Sequence, residues 1–323
     1  MELYPLKFNP VFSYRIWGGK KLKTVLNKIY NEESIGESWE ISDIKNNETS
    51  VSEGDLKGKT LKQLIKTFKG NFVGNHVYDF FGNDFPLLIK FIDAKEPLSI
   101  QVHPGDSLAK KRHNSFGKNE MWYVMQAEKD AELIIGFNQK TTKKIYGEYL
   151  KNSSLCKLLN VEKVKKGDVY YIPTGRIHAI GAGVLLAEIQ QTSNITYRIY
   201  DYNRIDTITG GKRALHNDLA LDAIDFKFHK NYKTIYSLQT NISTKLVHSP
   251  YFKTNIISIK GELTKNYSKL DSFIIYICVE GNLEVEYKNK FFSLNMGETL
   301  LLPAIINQVK LKSPYSCILE VFL

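Results

Sequence analysis

A chain of 323 residues is long enough for two hydrophobic cores, and 43% apolar content with 44 Lys and Arg against 34 Asp and Glu (net charge +10) is the make-up of a soluble globular protein. No run approaches the roughly 18 uninterrupted apolar residues of a membrane span, and "MELYPLKFNPVFSYRIWGG" lacks the apolar core of a signal peptide. Three scattered cysteines, Cys156, Cys278 and Cys317, argue against a disulfide framework or a cysteine zinc site, so a cytoplasmic protein is expected.

The lysines are spread along the chain with no basic block and no nucleic-acid motif. The positive balance therefore reads as a solvated surface, whose modest field favours an anionic small substrate rather than nucleic acid or membrane. In chain order, "TLKQLIKTF" is the first clear element: Leu61, Leu64, Ile65 and Phe68 form one helical stripe with Thr60 as N-cap. "LSIQVHP" (98–104) alternates apolar and polar residues as a strand does, so Gln101 and His103 point the same way. "DSLAKKRH" after Gly105, "TTKKIYGEYL" from Thr141 and "NDLALDAI" from Asn217 read as short helices. Between and beyond them the chain is a series of short strands rich in Tyr, Ile, Val and Phe. The glycine-rich nucleotide-binding motifs are absent.

An internal repeat organises these strands. "GDVYYIP" (167–173) and "GETLLLP" (297–303) share a Gly, an acid, an apolar strand and a Pro, and each follows a hairpin-like strand pair, "WYVMQAEKDAELIIGF" and "IIYICVEGNLEVEY". That rhythm predicts a mainly β protein of two jelly-roll barrels with a few helical insertions in its N-terminal part. The expected division is 1–230 and 231–323, with the break near "HKNYKTIYSLQ".

The first barrel has Gln101, His103, Glu120 and His178 available. Aligning the repeats on Gly167 and Gly297 puts Gln308 opposite His178 and Phe273 at the place of Glu120, so the second barrel should hold no metal. Two imidazoles and a carboxylate suit Zn²⁺ with an open position, or Fe²⁺ as a two-His, one-carboxylate triad, with Gln101 as a weak neutral fourth ligand. A lone His would be read as a hydrogen-bonded core group, but Gly167, Pro173, Gly175 and His178 form G-x5-P-x-G-x2-H. The remaining histidines (His76, His113, His216, His229, His248) sit in no such setting and are assigned to surface or packing.

G-x5-P-x-G-x2-H is the second cupin motif, and Q-x-H followed by Glu is similar to the first. With "WGG", "IGESWEIS", "PLLIKFIDAKEPLSIQVHP", "KNEMWYV" and "GDVYYIPTGRIHAIGAGVLLAEIQQTSNITYRIYDYNR", the chain resembles the type I mannose-6-phosphate isomerases in their short bacterial form. The likeness is close to about residue 225 and looser beyond. It implies one Zn²⁺ per chain held by His103, Glu120 and His178, with Gln101 matching a further ligand of longer relatives. It implies a catalytic Arg198 in "TYRIYD" and a substrate-lining Lys118. Longer members carry an acid where this chain has Asn194, so that acid cannot serve as the base here. Glu188 is a candidate cavity residue, either a base with a raised pKa or a partner of Arg198. The implied activity is aldose–ketose isomerisation of a sugar phosphate through an enediol. A non-catalytic sugar-phosphate-binding cupin and an Fe²⁺ cupin oxygenase are the competing readings.

Overall fold

The computed structural model describes residues 2–323, which fold mainly as β-sheet. Two sheets facing one another make the first barrel. A six-stranded sheet runs in the order Val169–Ile172, Glu120–Ala127, Val184–Gln191, Leu87–Ala94, Val11–Gly19, Ile35–Ile41; a five-stranded sheet runs Tyr197–Tyr200, Ile100–Val102, His178–Ile180, Glu132–Phe137, Leu159–Lys163.

The two-residue period of a strand decides what each sheet offers to the interior. Along Leu87–Ala94, Leu87, Ile89 and Phe91 face away into a core shared with the second barrel, while Lys90 and Ile92 face inward. Along Glu120–Ala127 the outward set is Met121, Tyr123 and Met125, and Trp122 and Val124 lie inside. Val184–Gln191 repeats the pattern, with Leu185, Ala187 and Ile189 outward and Val184, Leu186 and Glu188 inward. On the opposing sheet, Ile100, Val102, Ala179, Tyr197 and Ile199 pack outward beneath the helices, which leaves Gln101, His178 and Arg198 to the interior. Both faces of "LSIQVHP" are therefore used, one for packing and the other for the cavity.

The helices form where expected. Leu61–Phe68 begins with a capping box in which the Thr60 side chain accepts from the Gln63 backbone and the Gln63 side chain accepts from the Thr60 backbone. Asp106–His113, Lys143–Lys151 and Asn217–Ala223 follow. The short helices Gly70–Val73 and Asn75–Phe81 escape sequence reading because Gly74, at φ +100°, breaks one helical pattern into two. No described helix is long and apolar enough to cross a membrane.

The second barrel is a six-stranded sheet between Thr244 and Phe322. Leu6 exchanges two backbone hydrogen bonds with Leu301, and Asn71 and Phe72 accept from Ile305 and Ala304, so N-terminal residues are sewn onto it. Tyr236 still donates to the Gly167 carbonyl, whereas Thr240 already bridges to Ser258. We propose the division near residue 230 as one between barrels that share a core, not between separable units.

The repeat is real at the level of register. Gly167 (φ +88°) and Gly297 (φ +85°) donate to the carbonyls of Val124 and Cys278, and each opens a strand paired with the hairpin before it. Ile172 pairs with Glu120, however, and Leu302 pairs with Ile274. Ile274, not Phe273, stands in the place of Glu120. The one-residue difference matters because it reverses the face: Ile274 fills the second barrel, while Phe273 lies in the seam against Phe85, ring centroids 4.7 Å apart. Gln308 is exposed, and Ile306 and Val309 occupy the interior beside it.

Ile277 is fully buried in the seam. Ile277→Ser should cost about 3 kcal/mol or more, read as a lower urea midpoint at unchanged m-value. Gln308→Ala should stay within about 0.5 kcal/mol and leave turnover unaltered. Lost turnover in a stable Gln308→Ala protein would mean that the second barrel does more than support the first.

Candidate metal centre and substrate cavity

His178 stands directly opposite Gln101 across one strand pair, and Gln101 opposite Arg198 across the next. Directly opposed residues of antiparallel strands share a face, so these three line up along one wall. His103 follows immediately after Val102, and Glu120 opens its strand on the facing sheet.

His103, Glu120 and His178 converge, with potential ligand atoms of the three within 4.8 Å of one another. Glu120 and His178 are completely buried and His103 is 1% exposed. The Glu120 oxygens lie 3.5 Å from His103 Nε2 and 3.4 Å from His178 Nε2. Each imidazole gives its Nδ1–H to a backbone carbonyl, His103 to Ile195 at 2.8 Å and His178 to Arg176 at 2.9 Å. That fixes the tautomer and turns both Nε2 lone pairs toward the carboxylate. Burial pushes the His178 pKa down to about 3, and burial with the charge of Lys118 holds His103 well below its ordinary value, so both rings are neutral. Burial and the nearby Glu188 raise Glu120 to about 7.

Lys118 places its ammonium 2.8 Å from Glu120 and 3.0 Å from His103 Nε2, yet neither Glu120 oxygen has a well-aimed hydrogen bond. A buried carboxylate with orphaned oxygens between two neutral imidazole lone pairs is a donor set that fits a divalent cation. Gln101 sits beside His178, but it presents its amide nitrogen to His178 Nε2 at 3.3 Å while its oxygen accepts from Ser99. It stands next to the donor triad rather than in it.

A cavity of about 470 Å³ opens above this cluster, and Gln101, Lys118, His178, Glu188 and Arg198 all line it. Glu188 takes a different place from either role expected of it. It accepts from Trp122 Nε1 at 2.9 Å and lies 3.3 Å from Lys90, not against Arg198. Burial would raise its pKa, but Lys118 and Lys90 outweigh it and the net shift is downward. Asp201 is not a partner of Arg198 either: it is clasped by Arg204 and Arg213. Arg198 spends one N–H on the Ala214 carbonyl and leaves its buried Nε unpaired. Its backbone is backed by His216, which accepts from the Arg198 N–H and donates its own N–H to the Arg198 carbonyl.

Several cavity residues carry no motif. Lys90 lies between Glu188 and Glu37 and over the Trp39 ring. Glu37 is held at about 2, because Arg15 and Lys90 outweigh the effect of burial. The available signal was a lysine inside "LLIKFIDA", a strand too apolar to tolerate one unpaired.

Comparison with known proteins decides the family. Residues 6–147 match the family model "Phosphomannose isomerase type I, catalytic domain" and residues 242–321 match "Mannose-6-phosphate isomerase, cupin domain". The chain is 34% identical to mannose-6-phosphate isomerase ManA of Bacillus subtilis over 99% of both proteins. It belongs to the type I mannose-6-phosphate isomerases. Mannose-6-phosphate isomerase of Streptococcus mutans is 33% identical over 94% of this chain and 93% of that protein. The crystal structure of the Bacillus subtilis mannose 6-phosphate isomerase superposes with a TM-score of 0.89 at 33% identity, covering 99% of each chain. A phosphomannose isomerase from Salmonella typhimurium, at 16% identity and a TM-score of 0.78, shares the fold. Gln101, His103, Lys118 and Glu120 fall inside the first matched span, whereas His178, Glu188 and Arg198 lie between the two.

Proposed function

We propose that this isomerase interconverts mannose 6-phosphate and fructose 6-phosphate, with one Zn²⁺ per chain held by His103, Glu120 and His178. The observation that carries the assignment is the buried His–Glu–His set beneath a cavity lined by Arg198 and Lys118, in a chain similar from end to end to mannose-6-phosphate isomerases.

The reaction moves a proton between C2 and C1 of the open-chain sugar through an enediol, so negative charge develops on a sugar oxygen. A divalent cation at this seat supplies Lewis-acid stabilisation of that charge. Arg198 lines the cavity and offers a planar fork of donors suited to an oxyanion or a phosphate, with one N–H held by the Ala214 carbonyl. Burial and the charges of Arg213, Arg15 and Arg204 depress the Arg198 pKa against the opposite pull of Asp201, and the gathering of Arg15, Arg198 and Arg213 around the cavity favours an anionic ligand. Lys118 is charged, because Glu120 and Glu188 outweigh its burial, and it can orient sugar hydroxyls beside the centre. Glu188, anchored by Trp122 and Lys90, presents a carboxylate to the same space and serves substrate binding. Gln101 borders the centre as a neighbour of His178 rather than a ligand. Three free cysteines, Cys156, Cys278 and Cys317, fit the cytoplasm as the place of action.

The deciding measurement is the metal content of the purified protein, followed by fructose 6-phosphate turnover before and after chelation. One Zn²⁺ per chain and turnover lost to the chelator and regained with Zn²⁺ are expected. Full turnover in metal-stripped protein would refute the assignment.

A further inference from the structure

Two consecutive glutamines, Gln190 and Gln191, end the strand Val184–Gln191, and neither belongs to the donor set. Both are buried, Gln190 completely. Their amide hydrogen bonds converge on the segments that carry the metal donors.

Gln190 donates through Nε2 to the carbonyls of Gln191 (2.9 Å) and Ser193 (2.6 Å) and so wraps the turn that follows it. Ser193 closes the same turn by donating its N–H to the Gln191 carbonyl and accepting from the Ile195 N–H. The product of that turn is the Ile195 carbonyl, which takes the Nδ1–H of His103. Gln191 works on the other side. Its Oε1 accepts from both the backbone N–H (3.0 Å) and the side-chain amide (2.7 Å) of Asn119, the residue between Lys118 and Glu120. Its Nε2 donates at 3.1 Å to Asp106, three residues after His103, and Asp106 also accepts from the Gly117 N–H. Asn119 in turn accepts from the Thr174 N–H in the turn that leads to His178.

We propose that Gln190 and Gln191 are positioning residues for the metal centre. They set the His103 ring through the Ile195 carbonyl and the placement of Glu120 through Asn119, without touching the ion. The inference rests on the metal site proposed above. Its physical basis is that donors held at fixed spacing need no rearrangement when the ion arrives, so the groups that hold them contribute to affinity without touching the ion.

The test is Zn²⁺ affinity by chelator competition, with thermal unfolding of each protein in the presence and absence of Zn²⁺. Gln190→Met and Gln191→Met each keep the unbranched length of the side chain but strip its amide, and each variant should bind Zn²⁺ roughly 10–100-fold more weakly. The metal-induced rise in Tm of each should shrink accordingly. Asp106 is only half-buried, so Asp106→Ala keeps a folded protein available, with about a tenfold loss expected at the lower end of that range. Asp106→Asn retains an acceptor oxygen and should restore nearly normal affinity. If the variants lower both Tm values equally and bind Zn²⁺ as the parent does, the glutamines serve stability alone and the proposal is overturned. A parent protein that takes up no Zn²⁺ would overturn the metal site, and this proposal with it.

Discussion

His178→Ala should yield a folded protein without metal and without measurable isomerase activity. The substitution removes one of two imidazoles and leaves Glu120 and His103, with only the neutral Gln101 nearby. Two strong donors and an open site hold Zn²⁺ poorly, so the affinity loss should exceed the roughly 10–100-fold that an outer-shell change costs. Folding should survive, because His178 is neutral in the fold and its loss leaves one backbone acceptor, the Arg176 carbonyl, without its donor. That costs about 1–3 kcal/mol. Metal analysis beside circular dichroism reads the result. A variant with a full complement of metal would remove His178 from the ligand set.

Arg198→Lys should retain metal and lose turnover by about a hundredfold or more, since one strong oxyanion donor is typically worth about 2.7–4 kcal/mol. Lysine keeps the charge but not the fork. It would also release the Ala214 carbonyl, which Arg198 Nη1 holds at 2.9 Å. Steady-state kinetics on mannose 6-phosphate, with metal content measured on the same sample, separates the two effects. Near-normal kcat would make Arg198 a structural residue.

The donor triad was legible because its residues carry local signatures: Q-x-H in an alternating strand, and G-x5-P-x-G-x2-H around a turn whose glycine has positive φ. The barrels were legible as a repeat. What a sequence hides is contact between strands distant in the chain. Glu37, Lys90 and Glu188 come from three strands and meet only because those strands are neighbours in one sheet. The expectation of a raised Glu188 pKa failed for the same reason, since burial could be guessed but Lys90 and Lys118 beside it could not. The exchange of Phe273 for Ile274 arose from register, which a repeat motif fixes only to within a residue. The Gln190–Gln191 pair sat in plain view within the family-like block, but a buried amide has no periodicity and its partners were unknowable before the turn at 191–195 was seen.

The backbone bonds to the two histidines also settle a matter of proton inventory. A neutral imidazole has one proton and one lone pair. In His103 and His178 the proton is committed to a carbonyl, and the remaining lone pair is the one that would ligate the proposed cation, so with the ion bound neither ring would keep a nitrogen free to pass protons to a sugar. The histidine is ordinarily the first residue suspected of acid–base work near neutrality, but here two main-chain oxygens hold one nitrogen of each ring and leave the other for the proposed ion. The other titratable groups around the cavity include Lys118, Lys90 and Glu188, which stand within reach of one another's charge.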